Sequence, residues 1–159
     1  MTTARWITAD VFDGLATIED GTVDLVVTSP PFLALRSYLP PDHPDKGKEI
    51  GSEATPAEFL DTLLAVTAEL RRVLAPHGSI AIELGDTYAW SGGAGGDYDR
   101  NGMRDGQPRW VGSAVRARAD ERPQSHPFAP GGEGWPLAKS KTLVPELYRV
   151  ALAYGINPL

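Results

Sequence analysis

The chain contains no cysteine among its 159 residues, which excludes a disulfide framework and any thiolate zinc site. Its three histidines, His43, His77 and His126, lie far apart and show no ligand spacing, so no metal is expected. No apolar run approaches the ~20 residues needed to cross a bilayer. The opening Met-Thr-Thr-Ala-Arg-Trp also lacks the apolar core of a signal peptide. The default expectation is therefore a cytoplasmic protein with no membrane partner. An excess of positive charge is missing too. The net charge of −6 does not favour a nucleic-acid binder, which usually shows a basic surface. Internal repeats are absent, and the length suits one domain with a real core.

The most informative segment is residues 23 to 32, Val-Asp-Leu-Val-Val-Thr-Ser-Pro-Pro-Phe. Val23, Leu25, Val26 and Val27 read as a buried parallel strand. Neither Pro30 nor Pro31 can donate to a ladder, so the sheet ends there. Each residue before a proline is pushed to extended geometry, so Ser29 and Pro30 are stiff. Open α/β sheets bind ligands at the carboxyl ends of their strands. The corner is rich in acceptors, because proline offers a carbonyl and no N–H and Ser29 adds a hydroxyl. Acceptors suit a substrate bearing an –NH2 group. Phe32 adds a flat face on which a base could stack, worth roughly 1–3 kcal/mol. An aminated heterocycle is the substrate class that results. A rigid strand exit with no chemistry is the plainer alternative for the tetrapeptide alone.

Along the rest of the chain, residues 6–10 (Trp-Ile-Thr-Ala-Asp) read as a short strand ending in an acid. Residues 11–18 read as a short helix with Phe12, Leu15 and Ile18 on one face. Residues 33–54, with Pro40, Pro41 and Pro44, read as a loop. Thr55-Pro56-Ala57-Glu58 predicts a helix start: a capping threonine, a proline in the first turn and a glutamate closing a capping box. Phe59, Leu63, Val66, Leu70, Val73 and Leu74 then follow at helical spacing, and residues 75–78 stop the helix. Residues 79–85 read as a second buried strand, giving a parallel crossover. Residues 91–136 hold five prolines and a bracket of glycines, and read as a long flexible loop in which six arginines are balanced by six acids. Gly92, Gly93, Gly95 and Gly96 do not open a helix, so they are not read as a phosphate cradle. Trp110 and Trp135 are candidates for either substrate contact or docking. Residues 144–155 read as an amphipathic helix with a glycine stop.

Thr28-Ser29-Pro30-Pro31-Phe32 resembles the catalytic motif of S-adenosylmethionine-dependent DNA amino-methyltransferases, whose pattern is Ser/Asp/Asn, Pro, Pro, then an aromatic residue. The resemblance covers residues 5–39, 53–90 and 138–158. It implies an α/β fold, a partial Rossmann-like sheet of parallel strands with flanking helices. It also implies S-adenosylmethionine as methyl donor and double-stranded DNA as partner, with Ser29, Pro30, Pro31 and Phe32 catalytic. Serine in first place leans towards N4 of cytosine over N6 of adenine. Such enzymes concentrate their basic residues on one face, so an acidic total does not exclude DNA. Asp10 matches the family's strand-end acid that helps bind S-adenosylmethionine, although the family's Gly-Asp is Ala9-Asp10 here. Gly85 and Asp86 fall beside the family's target-base pocket. Arg36 and Tyr38, just after the motif, are candidates for contact with DNA phosphates or the flipped base. The family's glycine-rich cofactor segment, Asp-Pro-Phe-x-Gly-Ser-Gly-like, has no match in residues 1–159. The expectation is a single incomplete catalytic domain, a C-terminally truncated member. Part of its sheet would then be covered by self-association or a partner. The competing expectation is an inactive remnant or a split-enzyme subunit awaiting a chain with the cofactor loop.

Overall fold

In the computed structural model, the described residues are 2–35, 37–40, 42–89, 133–137 and 139–159. The expected flexible loop at 91–136 lies outside them except for its last four residues, and so do Trp110 and the glycines at 92–96. The described residues form a small α/β unit in the order α1 (Val11–Ala16), β1 (Val23–Thr28), a 3₁₀ turn at Lys46–Lys48, α2 (Pro56–Val73), β2 (Leu74–Ile82) and α3 (Val144–Tyr154). β1 and β2 pair in parallel. None of the described helices is long and apolar enough to cross a membrane.

α2 forms where its local signals place it. Thr55 accepts from the Glu58 N–H while Glu58 reaches back to the Thr55 N–H, and Pro56 sits in the first turn. Phe59, Leu60 and Leu63 pack with Leu33, Val144, Tyr148 and Ala151 into one core cluster. Leu70 and Val73, two turns further on, pack with Leu15 into a second, edged by Val11, Ile18, Val23, Val26 and Ile80. A hydrogen bond of 2.5 Å between the Thr67 and Tyr148 hydroxyls joins α2 to α3. α3 ends at Gly155, whose φ of 70° is the left-handed conformation glycine adopts at little cost.

Four sequence expectations differ. Residues 6–10 form no strand: Trp6 is 93 % exposed, and among the described residues no neighbouring strand offers the pairing that an apolar run needs. Around α1 Leu15 is buried, with Val11 and Ile18 partly covered on the same side at i, i+4 and i+7, while Phe12 is 39 % exposed and lies outside this stripe. β2 begins at Leu74, directly at the end of α2, where residues 75–78 were expected to be a turn. The register explains why. Val23 pairs with Leu74 but Leu25 pairs with Ser79, so a bulge takes up the extra residues of β2. Pro76 sits in that bulge, where no ladder bond is lost. Gly78 lets the bulge close, since a Cβ there would lie 2.7 Å from Leu74 Cγ and 2.9 Å from the Val23 carbonyl oxygen.

The fourth difference is that neither strand is buried on both faces. Along β1 and β2, Val26, Thr28, Ile80 and Ile82 are partly covered, whereas Leu25, Val27, Ser79 and Ala81 are exposed. The covered face packs under the helices, while no described element covers the other.

Candidate active site

The register carries straight into the site. Thr28 pairs with Ile82, and the Glu83 N–H donates to the Thr28 carbonyl at 3.0 Å. The next residues, Ser29 and Glu83, therefore stand side by side at the carboxyl end of the ribbon. The Ser29 hydroxyl donates to Glu83 Oε2 at 2.5 Å. That contact uses the hydroxyl hydrogen and leaves oxygen lone pairs to accept from a substrate. Sequence alone does not single out Glu83. The available signal is an acid one residue past the last apolar position of a strand parallel to the motif strand.

Phe32 lies against Gly85. A Cβ on Gly85 would run into the Phe32 ring at Cδ2, Cε2 and Cζ, so only glycine admits the ring in this position. Gly51, with φ of 91°, approaches the other side of the corner. A Cβ there would meet the Phe32 carbonyl oxygen at 2.8 Å and Pro31 Cβ at 3.2 Å. The Gly51 carbonyl accepts from the Ala34 N–H at 2.8 Å. Leu33, 2 % exposed, inserts into the core between α2 and α3 and so anchors the exit of the tetrapeptide. Ala34 adopts a left-handed φ of 53°, unusual for a residue with a side chain. The corner is thus held on three sides by Glu83, Gly85 and Gly51, and from below by Leu33.

The remaining candidate residues are held by other contacts. Asp86 has its carboxylate engaged: Oδ1 accepts from the Thr87 N–H at 2.9 Å and from the Thr142 hydroxyl, and Oδ2 from the Leu143 N–H at 3.2 Å. It secures the approach to α3, where Leu143 itself holds a left-handed φ of 59°. Tyr38 has an exposed ring, and its N–H donates to Glu49 Oε1. Glu49 is almost fully buried and also accepts from the Leu39 N–H at 3.4 Å and from Lys46 Nζ. Burial disfavours its charge, but the hydrogen bonds from Lys46 and from the Tyr38 backbone outweigh this, and its carboxyl sits below the ordinary carboxylate value. Trp135 docks, its indole N–H donating to the Ala54 carbonyl at 2.7 Å. Arg36 lies outside the described residues.

Asp10 is the N-cap of α1, its Oδ1 accepting from the Phe12 N–H at 2.9 Å. It is exposed, and an exposed carboxylate fits one hydroxyl or amine contact to a cofactor. The donor set goes no further, since no segment of the chain matches the glycine-rich loop.

The β1–β2 ribbon thus ends in a proline-containing corner whose aromatic ring is clamped against Gly85. Residues 23–122 match the N6/N4 methyltransferase family model, described as DNA methylase, and the chain belongs to that family. It is 38 % identical over 79 residues to the type II methyltransferase M.XycI of Xanthomonas campestris pv. cyanopsidis, covering 50 % of this chain and 24 % of that protein. It is 34 % identical over 88 residues to M.MwoI of Methanothermobacter wolfeii, covering 55 % and 12 %. Over 79 residues it is 34 % identical to M.SfiI of Streptomyces fimbriatus, covering 50 % and 17 %. The aligned part thus spans a quarter or less of each of these relatives. No solved structure matches the chain.

Proposed function

We propose that this chain forms the target-amine site for methyl transfer from S-adenosylmethionine to an exocyclic amine of a base flipped out of duplex DNA, with N4 of cytosine favoured over N6 of adenine. The observation that carries this reading is the pairing of Ser29 with Glu83 at the mouth of a corner whose aromatic ring is clamped by Gly85.

The flipped base stacks on Phe32, and extrusion from the duplex costs a few kcal/mol. Its amine donates to Ser29 Oγ and to the Pro30 carbonyl. These bonds draw the nitrogen lone pair out of conjugation with the ring and direct it at the incoming methyl. When bound, S-adenosylmethionine supplies an electrophilic sulfonium methyl. This chain's residues act on the other reactant. Formation of the N–CH3 bond would be matched by loss of the methyl–sulfur bond, whose electron pair would stay with the departing thioether, and the methylated nitrogen then carries a surplus proton. Ser29 accepts it and passes its own hydroxyl proton to Glu83. No covalent enzyme intermediate is formed, and alignment supplies most of the rate. Asp10 would give one polar contact to the donor. Gly85 keeps the ring in place, Asp86 fixes the pocket wall through residues 142–143, and Tyr38 meets the entering strand, with the Arg36 guanidinium a candidate partner for its phosphates. Within a Rossmann-like methyltransferase sheet, β1 and β2 would be the strands carrying this corner.

The test is incorporation of radiolabelled methyl into duplex DNA, followed by nucleoside analysis to distinguish N4-methylcytosine from N6-methyladenine. Ser29→Ala and Phe32→Ala should each abolish incorporation, and full activity in either variant would refute the assignment. A second reading, in which transfer needs a partner chain or a second copy, is favoured by the exposed apolar residues Leu25 and Val27. Light scattering and calorimetry with S-adenosylmethionine address it. A monomer that binds the methyl donor alone contradicts this second reading.

A further inference from the structure

Ala34 to Tyr38 and Glu49 to Gly51 form the outgoing and returning arms of one loop, and both ends are tied. At one end the Ala34 N–H donates to the Gly51 carbonyl, and Gly51 abuts the Phe32 carbonyl. At the other, the Glu49 carboxylate takes the Tyr38 and Leu39 N–H groups. Lys46 Nζ reaches the same carboxylate, the Leu39 carbonyl at 3.1 Å and the Ser37 hydroxyl. A nearly buried carboxylate with three donors is an expensive way to hold an ordinary surface loop. What it holds here is the backbone of an exposed tyrosine, tied through Glu49 to the returning arm of the loop, which touches the tetrapeptide two residues later at Gly51.

We propose that Glu49, held by Lys46, is a positioning residue for the target nucleotide: it fixes the Tyr38 backbone so that the exposed ring stands beside the Ser29–Phe32 corner and contacts the extruded nucleotide. This rests on the target-amine reading and adds to it a residue that never touches substrate. Tyr38 is the contact and Glu49 acts through it.

The experiment compares binding of the full chain to two fluorescein-labelled duplexes, one fully paired and one holding a cytosine opposite an abasic site. The second extrudes its cytosine at little cost. Wild type should favour the abasic duplex by about tenfold, on the order of one stacked base. Tyr38→Ala and Glu49→Gln should each reduce that preference to about twofold, the loss of roughly one contact. Affinity for the paired duplex should fall by less than affinity for the abasic one, so that the preference itself is what shrinks. In a Tyr38→Ala background, Glu49→Gln should do nothing more, because its effect passes through the ring. A general loss of structure would instead weaken both duplexes alike and add to the Tyr38→Ala effect. Full preference in Glu49→Gln, or additive losses in the double variant, overturns the proposal. If wild type shows no preference, the target-amine reading fails first and the proposal with it. Should Glu49→Gln not fold by circular dichroism, Glu49→Asp replaces it with the same expected outcomes, since it keeps the charge but shortens the reach.

Discussion

The two faces of the β1–β2 ribbon divide the work of the molecule. Val26, Thr28, Ile80, Ile82 and Leu84 lie on the face covered by helices, and several of them edge the two core clusters. Leu25, Val27, Ser29, Ser79, Ala81 and Glu83 alternate with them on the bare face. The period-two geometry of a strand makes this unavoidable. Once Thr28 and Ile82 are paired and face the helices, Ser29 and Glu83 must share the open side. The covered face fixes the register, and the register brings together a hydroxyl and a carboxylate that lie 54 positions apart in the chain. Substitutions on the covered side should therefore cost stability, whereas those on the bare side should cost chemistry.

Phe59→Ala should have the largest effect on the covered side. The ring is fully buried between Leu33, the α3 residues and the neighbouring leucines of α2, and large-to-small replacements of this kind cost about 3–5 kcal/mol. Urea denaturation monitored by circular dichroism measures it. Since Leu33 belongs to the same cluster, the Ser29–Phe32 corner should loosen with it. Asp86→Ala comes next. It strips the partner from the buried Thr142 hydroxyl and from the Leu143 N–H, a loss of about 2–3 kcal/mol for unsatisfied groups. If the cost is much smaller, the α3 junction is held by something other than this carboxylate.

Acid should produce a smaller, titratable loss through Glu49. Its carboxyl lies below the ordinary 4.5, so it binds protons more readily in the unfolded chain than in the folded one. The resulting stabilisation is fully present above that ordinary value and is lost as pH falls through the lower folded value. The difference in melting temperature between wild type and Glu49→Gln should be constant near neutrality and close below about pH 4.5. A difference that persists into strong acid would mean the glutamate's charge is not what holds Tyr38 and Leu39.

α2 was legible from sequence because its signals are local: the Thr55–Glu58 capping box, Pro56 in the first turn and an apolar stripe within one helix. β1 and the stiffness of Ser29–Phe32 were legible for the same reason. What failed depended on partners. Residues 6–10 have a strand's composition but, among the described residues, no strand to pair with. Pro76 and Gly78 signal a turn, yet both lie within a bulge whose existence depends on how β2 meets Val23. Phe32 stood out in the sequence as an aromatic residue closing the motif, but the fit of its ring against Gly85 required the fold. Glu83 and Glu49 went unnoticed because an acid at a strand end or in a loop is ordinarily solvated. The β1–β2 register brings Ser29 to Glu83, and the folding back of the 34–51 loop brings the Tyr38 and Leu39 N–H groups to Glu49.

The bare face should separate chemistry from stability most cleanly at Glu83. Glu83→Gln retains an oxygen that can accept the Ser29 hydroxyl, and the position is exposed, so stability should change by no more than about 0.5 kcal/mol. The amide cannot take up the proton that methylation releases. Methyl transfer should therefore fall by about a hundredfold, at the low end of what a proton acceptor contributes. The loss should appear in kcat with KM little changed, because the proposed contacts of the base with Phe32, Ser29 and Pro30 do not involve the Glu83 side chain. Radiolabelled methyl incorporation under saturating DNA measures it. A variant that is fully active would make Glu83 a bracket for Ser29 and nothing more. A variant that is inactive and also unstable would show that the bare face bears structural load as well, and the division between the two faces would fail at the point where they meet.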